Sequence, residues 1–182
     1  METKSKIRKE VLALRKEISE NEREKSKILV SEKIIGHQWY YSSDTILLYK
    51  SYGSELDTDF IAEDAFKKGK KVYYPKVCGE VMEFYRVTSL DMLKSGYKGI
   101  LEPEETEKFC CEEQNSKRVL MVMPGVAFDV LRNRIGYGKG YYDKYLSDKP
   151  SIYTIAIGYA CQMVDKIEAN ETDIRPMQVI CL

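Results

Sequence analysis

The chain has 182 residues, about the length of one domain, with 43% hydrophobic and 32% charged residues and with 29 Lys+Arg balanced by 29 Asp+Glu. That composition belongs to a folded globular domain rather than a disordered chain, and zero formal net charge argues against coating nucleic acid or an anionic membrane through bulk charge. No apolar run approaches the ~18 residues of a membrane-spanning helix, and the start Met1-Glu-Thr-Lys-Ser-Lys6 has no apolar core of a secretory leader behind it.

Ile7, Val11, Leu14 and Ile18 recur at helical spacing and predict a first helix with one apolar stripe. Ser19 and Glu22 form an S-x-x-E capping box that starts a second, antiparallel helix carrying Ile28, Leu29, Ile34 and Ile35 and stopping at Gly36. Thr45–Tyr49 is an apolar, β-prone run. Thr58 is placed to cap a helix through Phe66, with Gly69 as its stop. Val72–Tyr74 predicts a strand ended by Pro75, and Met82–Val87 another. Arg118–Met123 is the most apolar strand, ended by Pro124-Gly125. Tyr141–Leu146 reads as a helix, Tyr153–Gly158 as a buried strand, and Val179–Cys181 as a last edge strand. Strands alternating with helices at this spacing predict a single-domain α/β fold, with a largely parallel sheet covered by helices on both faces in three Rossmann-like layers. Residues 102–117 break the pattern with six Glu, two Lys and two Cys and read as a flexible acidic surface loop.

The five cysteines (Cys78, Cys110, Cys111, Cys161, Cys181) have no C-x-x-C spacing, so neither a disulfide framework nor a zinc knuckle is indicated, and a reducing, cytoplasmic setting is expected. His37 is the only histidine, which removes every mechanism that needs a pair. Its place after Gly36 reads as a helix-end residue.

Chemistry concentrates in Met123-Pro-Gly-Val-Ala-Phe-Asp129 and in Arg134-Ile-Gly-Tyr-Gly-Lys-Gly-Tyr-Tyr-Asp143. This stretch follows a buried strand and leads into a helix, and in open α/β sheets ligands bind at such carboxyl ends of strands. Gly136, Gly138 and Gly140 let the backbone approach an anion closely. Arg134 and Lys139 add positive charge, and the following helix presents its N-terminus. The pattern is a phosphate cradle, though neither a P-loop nor G-x-G-x-x-G. Asp143 suits such a cradle if it holds Mg²⁺. Tyr137, Tyr141 and Tyr142 offer flat faces to a heteroaromatic ring. Lys4 and Arg8 share a helix face and on their own read as a solvated basic face. Lys50 and Glu55 follow the first strand, where Glu55 reads equally as a ligand-binding acid or a helix-flanking one.

These residues resemble the 5-formyltetrahydrofolate cyclo-ligase family. The matching pieces are Lys4-Ser-Lys-Ile-Arg8, Tyr49-Lys-Ser-Tyr-Gly-Ser-Glu55-Leu-Asp-Thr58, Tyr74-Pro75, the two blocks between Met123 and Asp143, and a tail with Gln162 and Asp173. The resemblance implies a monomeric enzyme that uses ATP and Mg²⁺ to convert 5-formyltetrahydrofolate to 5,10-methenyltetrahydrofolate through a phosphorylated formyl oxygen. It assigns ATP to Lys4, Ser5, Lys6, Ile7 and Arg8 and to Arg134, Ile135, Gly136, Tyr137, Gly138, Lys139, Gly140, Tyr141 and Tyr142. It assigns the folate to Lys50, Glu55, Tyr137, Gly138, Lys139, Gly140 and Tyr141, catalysis to Arg134, Lys139 and Tyr141, and Mg²⁺ to Asp143 and Asp173. The chain departs from the family at Arg132, where glycine is frequent, and at Pro176 in the tail. Two other readings remain at this level. One is a different ATP-using phosphotransferase, against which Lys50 and Glu55 speak. The other is a single-strand nucleic-acid module using the loop tyrosines, against which Asp143 and the zero net charge speak.

Overall fold

The chain begins with α1 (Lys4–Glu17) and α2 (Glu20–Ile35), in a computed structural model that describes residues 3–110 and 119–182. Thr3 caps α1 by accepting from the Lys6 N–H, and the Ser19/Glu22 capping box starts α2. The two helices do not share a core. α1 sets Ile7 and Val11 against Val126, Ala127, Ile135 and Ile167, whereas α2 sets Val30 and Ile34 into the main core. Leu14, Ile28 and Leu29, expected on buried stripes, are exposed, and the third buried position of α1 is Arg15. A short α3 (Gln38–Ser42) follows, capped by His37, whose Nδ1 accepts from the Trp39 N–H at 3.1 Å. The lone histidine therefore has a structural task.

The sheet is built from β1 (Thr45–Leu47), then, after α4 (Asp59–Lys67), β2 (Lys71–Cys78) and β3 (Val81–Val87). The small hairpin of β4 (Lys94–Ser95) and β5 (Leu101–Glu102) leads to β6 (Val119–Met123), and a second hairpin, β7 (Ala127–Phe128) with β8 (Arg134–Ile135), leads to α5 (Tyr141–Leu146). β9 (Tyr153–Gly158) and β10 (Gln178–Cys181) complete it. Among the described residues the main sheet has the order β10-β9-β6-β1-β2-β3, parallel throughout except for the β2–β3 pair. Alternation along the strands sends Ile46, Val72, Leu120 and Ile155 to α2 and α4, and sends Leu47, Tyr73, Met121 and Ala156 to α5. The layered, mostly parallel α/β fold is as the sequence predicts.

Three local expectations change. Pro75 does not end β2. The Tyr73 carbonyl faces β1, accepting from the Leu48 N–H at 2.9 Å, so the nitrogen of Pro75 lies on the same side, where pairing with β1 has stopped at Leu47–Tyr73, while pairing with β3 runs on to Cys78. Thr58 does not cap α4 with its side chain. Its hydroxyl donates to the Tyr49 carbonyl at 2.7 Å, and Asp57 accepts from the Asp59 N–H instead. The described half of the acidic stretch is laid along β3 rather than loose. Arg86 N donates to Glu107 O, Phe109 N donates to Phe84 O, Phe109 is buried, and Glu104, Glu105 and Glu107 pair with Lys94, Lys76 and Arg86. The segment thereby covers an edge strand. Residues 111–117, Cys111 and Arg118 lie outside the described residues.

A buried carboxylate braces the β7–β8 hairpin. Asp129 accepts from the N–H groups of Leu131, Asn133 and Ile167 and from the Asn133 side chain, at 2.7–3.0 Å. Burial alone would raise its acid strength threshold, but these donors hold the carboxyl below its usual range. Asp129→Ala strands those donors, and urea unfolding of this variant is expected to show a loss of about 3 kcal/mol at neutral pH. In the wild type the Asp129 contribution is fully present above the ordinary Asp range and is lost as pH falls below it. In the same turn Arg132 adopts φ +65°, the left-handed region that glycine enters most readily, and its guanidinium donates to the Met177 carbonyl at 2.6 Å.

Candidate active site

The loops after β1, β6 and β9 meet at one end of the sheet. Gln162, buried after β9, accepts from the Tyr159 N–H and donates to the carbonyls of Gly125 and Val126, which fixes the loop after β6. Between this loop, the first turn of α1 and residues 136–143 lies a cleft lined by Lys4, Arg8, Pro124, Gly125, Asp173 and the whole run Arg134–Asp143. The structure thus gathers residues from the start, middle and end of the chain that the sequence assigns to a phosphate site.

Each charge in the cleft has a defined setting. Arg134, whose side chain is 5% exposed, donates to Asp143 Oδ1 at 2.8 Å and lies 5.7 Å from the centre of the Tyr142 ring. Its Nε is buried without a hydrogen-bond partner. Asp143 Oδ1 also accepts from the Ile174 N–H at 3.0 Å, which brings the Asp173 segment alongside. Asp173 Oδ2 pairs with Lys4 and accepts from the Asn170 N–H. Burial opposes ionisation of Asp173, but Lys4, the Asn170 N–H and Arg134 hold its carboxyl below the usual range. On both carboxylates these bonds fall on one oxygen. Arg8 Nε donates to the Gly136 carbonyl at 2.8 Å, so α1 holds the loop from one side, while Lys139 is exposed.

Gly138 (φ +100°) and Gly140 (φ +67°) carry the loop through left-handed backbone into α5. α5 has six residues, too short for its dipole to dominate, so the positive field comes from the four basic side chains rather than from the expected helix N-terminus. Two carboxylates, each with one oxygen that no hydrogen bond among the described residues uses, beside four cations, suit Mg²⁺, which takes one or two protein carboxylates and completes its shell with phosphate oxygens and water. The unpartnered Arg134 Nε is a ready donor to a phosphate oxygen.

Not every assigned residue lines this cleft. Ile7 is buried in the α1 core, and Ser5 and Lys6 are exposed outside the lining. Lys50 is held bidentately by Asp59 at 2.5 and 2.6 Å. Glu55 lies behind Tyr137, with Oε2 accepting from the Tyr52 N–H at 2.9 Å. Burial pushes the Glu55 carboxyl up, against the pull of that N–H, of Arg15 and of the Tyr137 hydroxyl. Burial and the Glu55 charge push the Tyr137 hydroxyl up to about 12, and burial also raises Tyr142. Tyr141 donates to the Gly79 carbonyl at the β2–β3 turn at 3.3 Å. Tyr137, Tyr141 and Tyr142 belong to the cleft lining, and Tyr137 links that lining to Glu55 through a hydrogen bond. Arg132 is not part of the lining.

The family model of the 5-formyltetrahydrofolate cyclo-ligase family matches residues 1–182. The chain belongs to the 5-formyltetrahydrofolate cyclo-ligase family. It is 34% identical to a probable 5-formyltetrahydrofolate cyclo-ligase of Caenorhabditis elegans, covering 98% of this chain and 92% of that one. It is 29% identical to the enzyme of that name from Mus musculus, over 96% and 91% of the two chains. Among solved structures, the 5,10-methenyltetrahydrofolate synthetase of Aquifex aeolicus superposes with a TM-score of 0.83 at 31% identity, covering 97% of this chain and 89% of that one. The family converts 5-formyltetrahydrofolate to 5,10-methenyltetrahydrofolate, so the chain is a ligase of folate metabolism. No helix among the described residues is long and apolar enough to cross a membrane.

One cyclo-ligase residue escaped sequence reasoning. Arg15, 1% exposed, sits at i+8 from Ile7 and i+4 from Val11 and reaches Ser54, Gly125 and Tyr137. That helical spacing was its one visible signal. Arginine is so rarely buried that the stripe reads through Leu14 to Ile18 and passes over it.

Proposed function

We propose that this chain couples ATP cleavage to ring closure of 5-formyltetrahydrofolate, releasing ADP and phosphate, as a monomeric cytoplasmic enzyme. One observation carries the reading: a single cleft of this cyclo-ligase fold collects Lys4, Arg8, Arg134, Lys139, Asp143 and Asp173 with Tyr137, Tyr141 and Tyr142, and Tyr137 is hydrogen-bonded to Glu55.

The formyl oxygen attacks the γ-phosphorus, the bridging P–O bond breaks, and ADP leaves with the electron pair. An amide-like oxygen is a poor leaving group, and phosphorylation turns it into a good one. N10 then adds to the activated carbon and loses its proton. The C–O bond to phosphate breaks, leaving the methenyl bridge. The protein positions two substrates and neutralises charge. Arg134 and Lys139 meet the charge on the transferred phosphoryl group, and the backbone from Ile135 to Gly140 lies along the phosphates. Lys4 and Arg8 hold the remaining phosphates, with Ser5, Lys6 and Ile7 as the helical turn that carries them. Asp143 and Asp173 hold Mg²⁺, which supplies charge neutralisation of the phosphate oxygens. Glu55 accepts from the donors of the pterin, and Tyr137 and Tyr141 border the folate where N10 lines up. Lys50, fixed by Asp59, marks the entrance to the folate side.

Substrate labelled with ¹⁸O in the formyl group tests the route. The label is expected in inorganic phosphate, and phosphate without label rules out the phosphorylated formyl oxygen. Glu55→Gln is expected to raise the KM for the folate about tenfold or more, with the KM for ATP changing less than about twofold. Because burial raises the Glu55 carboxyl, kcat/KM for the folate falls as pH drops through a value above the ordinary Glu range. This acidic limb is expected to be absent in the Gln variant. A matching limb in both proteins removes Glu55 from the folate site.

A further inference from the structure

Arg15 has three N–H positions on three loops. Nε donates to Ser54 Oγ at 3.0 Å in the loop after β1, a terminal nitrogen donates to the Tyr137 hydroxyl at 2.8 Å in the loop before α5, and the other lies 3.5 Å from the Gly125 carbonyl after β6. Its Cζ is 5.9 Å from the centre of the Tyr137 ring. A leucine or methionine here would complete the Ile7–Val11 stripe with no charge to desolvate. The burial of a guanidinium at this place therefore calls for a task that packing does not supply.

We infer that Arg15 is a positioning residue that locks the folate-side loop to the phosphate loop and fixes the direction of the Tyr137 hydroxyl. The inference rests on the reading of Glu55 and Tyr137 given above. Arg15 donates to the Tyr137 oxygen, so the phenolic proton points away from it. The remaining acceptor beside that hydroxyl is the Glu55 carboxylate, which Tyr137 and Arg15 both hold towards its ionised form against burial. Ser54 precedes Glu55, so the same guanidinium also sets the backbone from which the carboxylate projects. Arg23 reinforces this joint by donating to the Ser54 carbonyl at 3.2 Å. A single side chain of α1, the helix that carries Lys4 and Arg8, thus ties both loops to one helix.

The test is a double-mutant cycle of Arg15→Lys and Tyr137→Phe, read in steady-state kinetics and in amide hydrogen exchange of the ligand-free chain. Lysine keeps the charge but not the fork. Each single variant is expected to raise the KM for the folate about tenfold. The double variant should be no worse than the poorer single one, and Arg15→Lys should leave the KM for ATP within about twofold. Effects that multiply, or an Arg15→Lys enzyme with unchanged folate KM, overturn the proposal. In exchange, Arg15→Lys is expected to loosen residues 52–56 and 136–140 together while α4 is unchanged. Unchanged exchange in both loops overturns the joint whatever the catalytic outcome, so this arm stands even if the wild type forms no methenyl product. Should Arg15→Lys not fold, Tyr137→Phe decides by itself: faster exchange at 52–56, a loop it does not belong to, is expected, and no change there overturns the proposal.

Discussion

Arg134→Lys is expected to lower kcat/KM for ATP by about 10²–10³-fold while the protein still folds. The wild-type guanidinium is nearly enclosed, pairs with Asp143, stacks near Tyr142 and keeps a buried Nε without a partner. A buried donor left open in the free protein is costly unless a ligand takes it up, and a phosphoryl oxygen in this cleft would do so. Lysine offers one point charge at the end of a shorter stem. It can keep the Asp143 pair or reach the phosphate, and it cannot reproduce the planar fork that does both. The ion pair survives in the variant, so thermal unfolding is expected to shift by only a few degrees. Steady-state kinetics with varied ATP, alongside a thermal melt, checks both parts. A loss below about tenfold would make Arg134 a brace for Asp143 rather than a contact of the transferred group.

Asp143→Asn is the second large effect. The Oδ1 of Asp143 holds Arg134 and the Ile174 N–H, and the proposed mechanism gives its other oxygen to a cation. The amide keeps an acceptor for one of these bonds but loses the charge. The Arg134 guanidinium then lacks a counter-charge in a nearly buried place, which is expected to lower stability by about 1–2 kcal/mol rather than by the 3–5 of a fully buried pair, because the Asp143 side chain is 22% exposed. Activity is expected to fall further, about 10²-fold in kcat/KM for ATP, with the Mg²⁺ concentration needed for half-maximal rate rising several-fold. A variant with an unchanged Mg²⁺ requirement removes Asp143 from the metal site, whatever its stability.

The layered fold was legible because its strands are buried on both sides. Val119–Met123 and Tyr153–Gly158 are near-continuous apolar runs, the mark of parallel strands between helices. The lining of the cleft was legible because most of it is one local stretch, Arg134–Asp143, whose glycines and bases stand together in the chain. What stayed hidden depends on distant partners. Arg15 meets residues 39, 110 and 122 positions away, so nothing beside it in the sequence reveals its burial. Pro75 looked like a strand end because sequence does not show on which side of β2 the ladder runs out. The acids of residues 102–110 looked solvated because the lysines and arginine that pair with them lie on β2, β3 and β4. Arg132 stood out in the sequence only as a departure from a frequent glycine, and its left-handed backbone became visible in the structure.

The proposed reaction requires that the Lys4–Arg134–Asp143 cleft deliver the γ-phosphate of ATP to a folate bound beside it. The most direct measurement is formation of 5,10-methenyltetrahydrofolate, followed by absorbance, from purified protein with 5-formyltetrahydrofolate and Mg²⁺, with and without ATP. The account predicts product only with ATP, and one ADP for each methenyl group formed. Product formed at the same rate without ATP, or ADP released without ring closure by a folded protein, would contradict it.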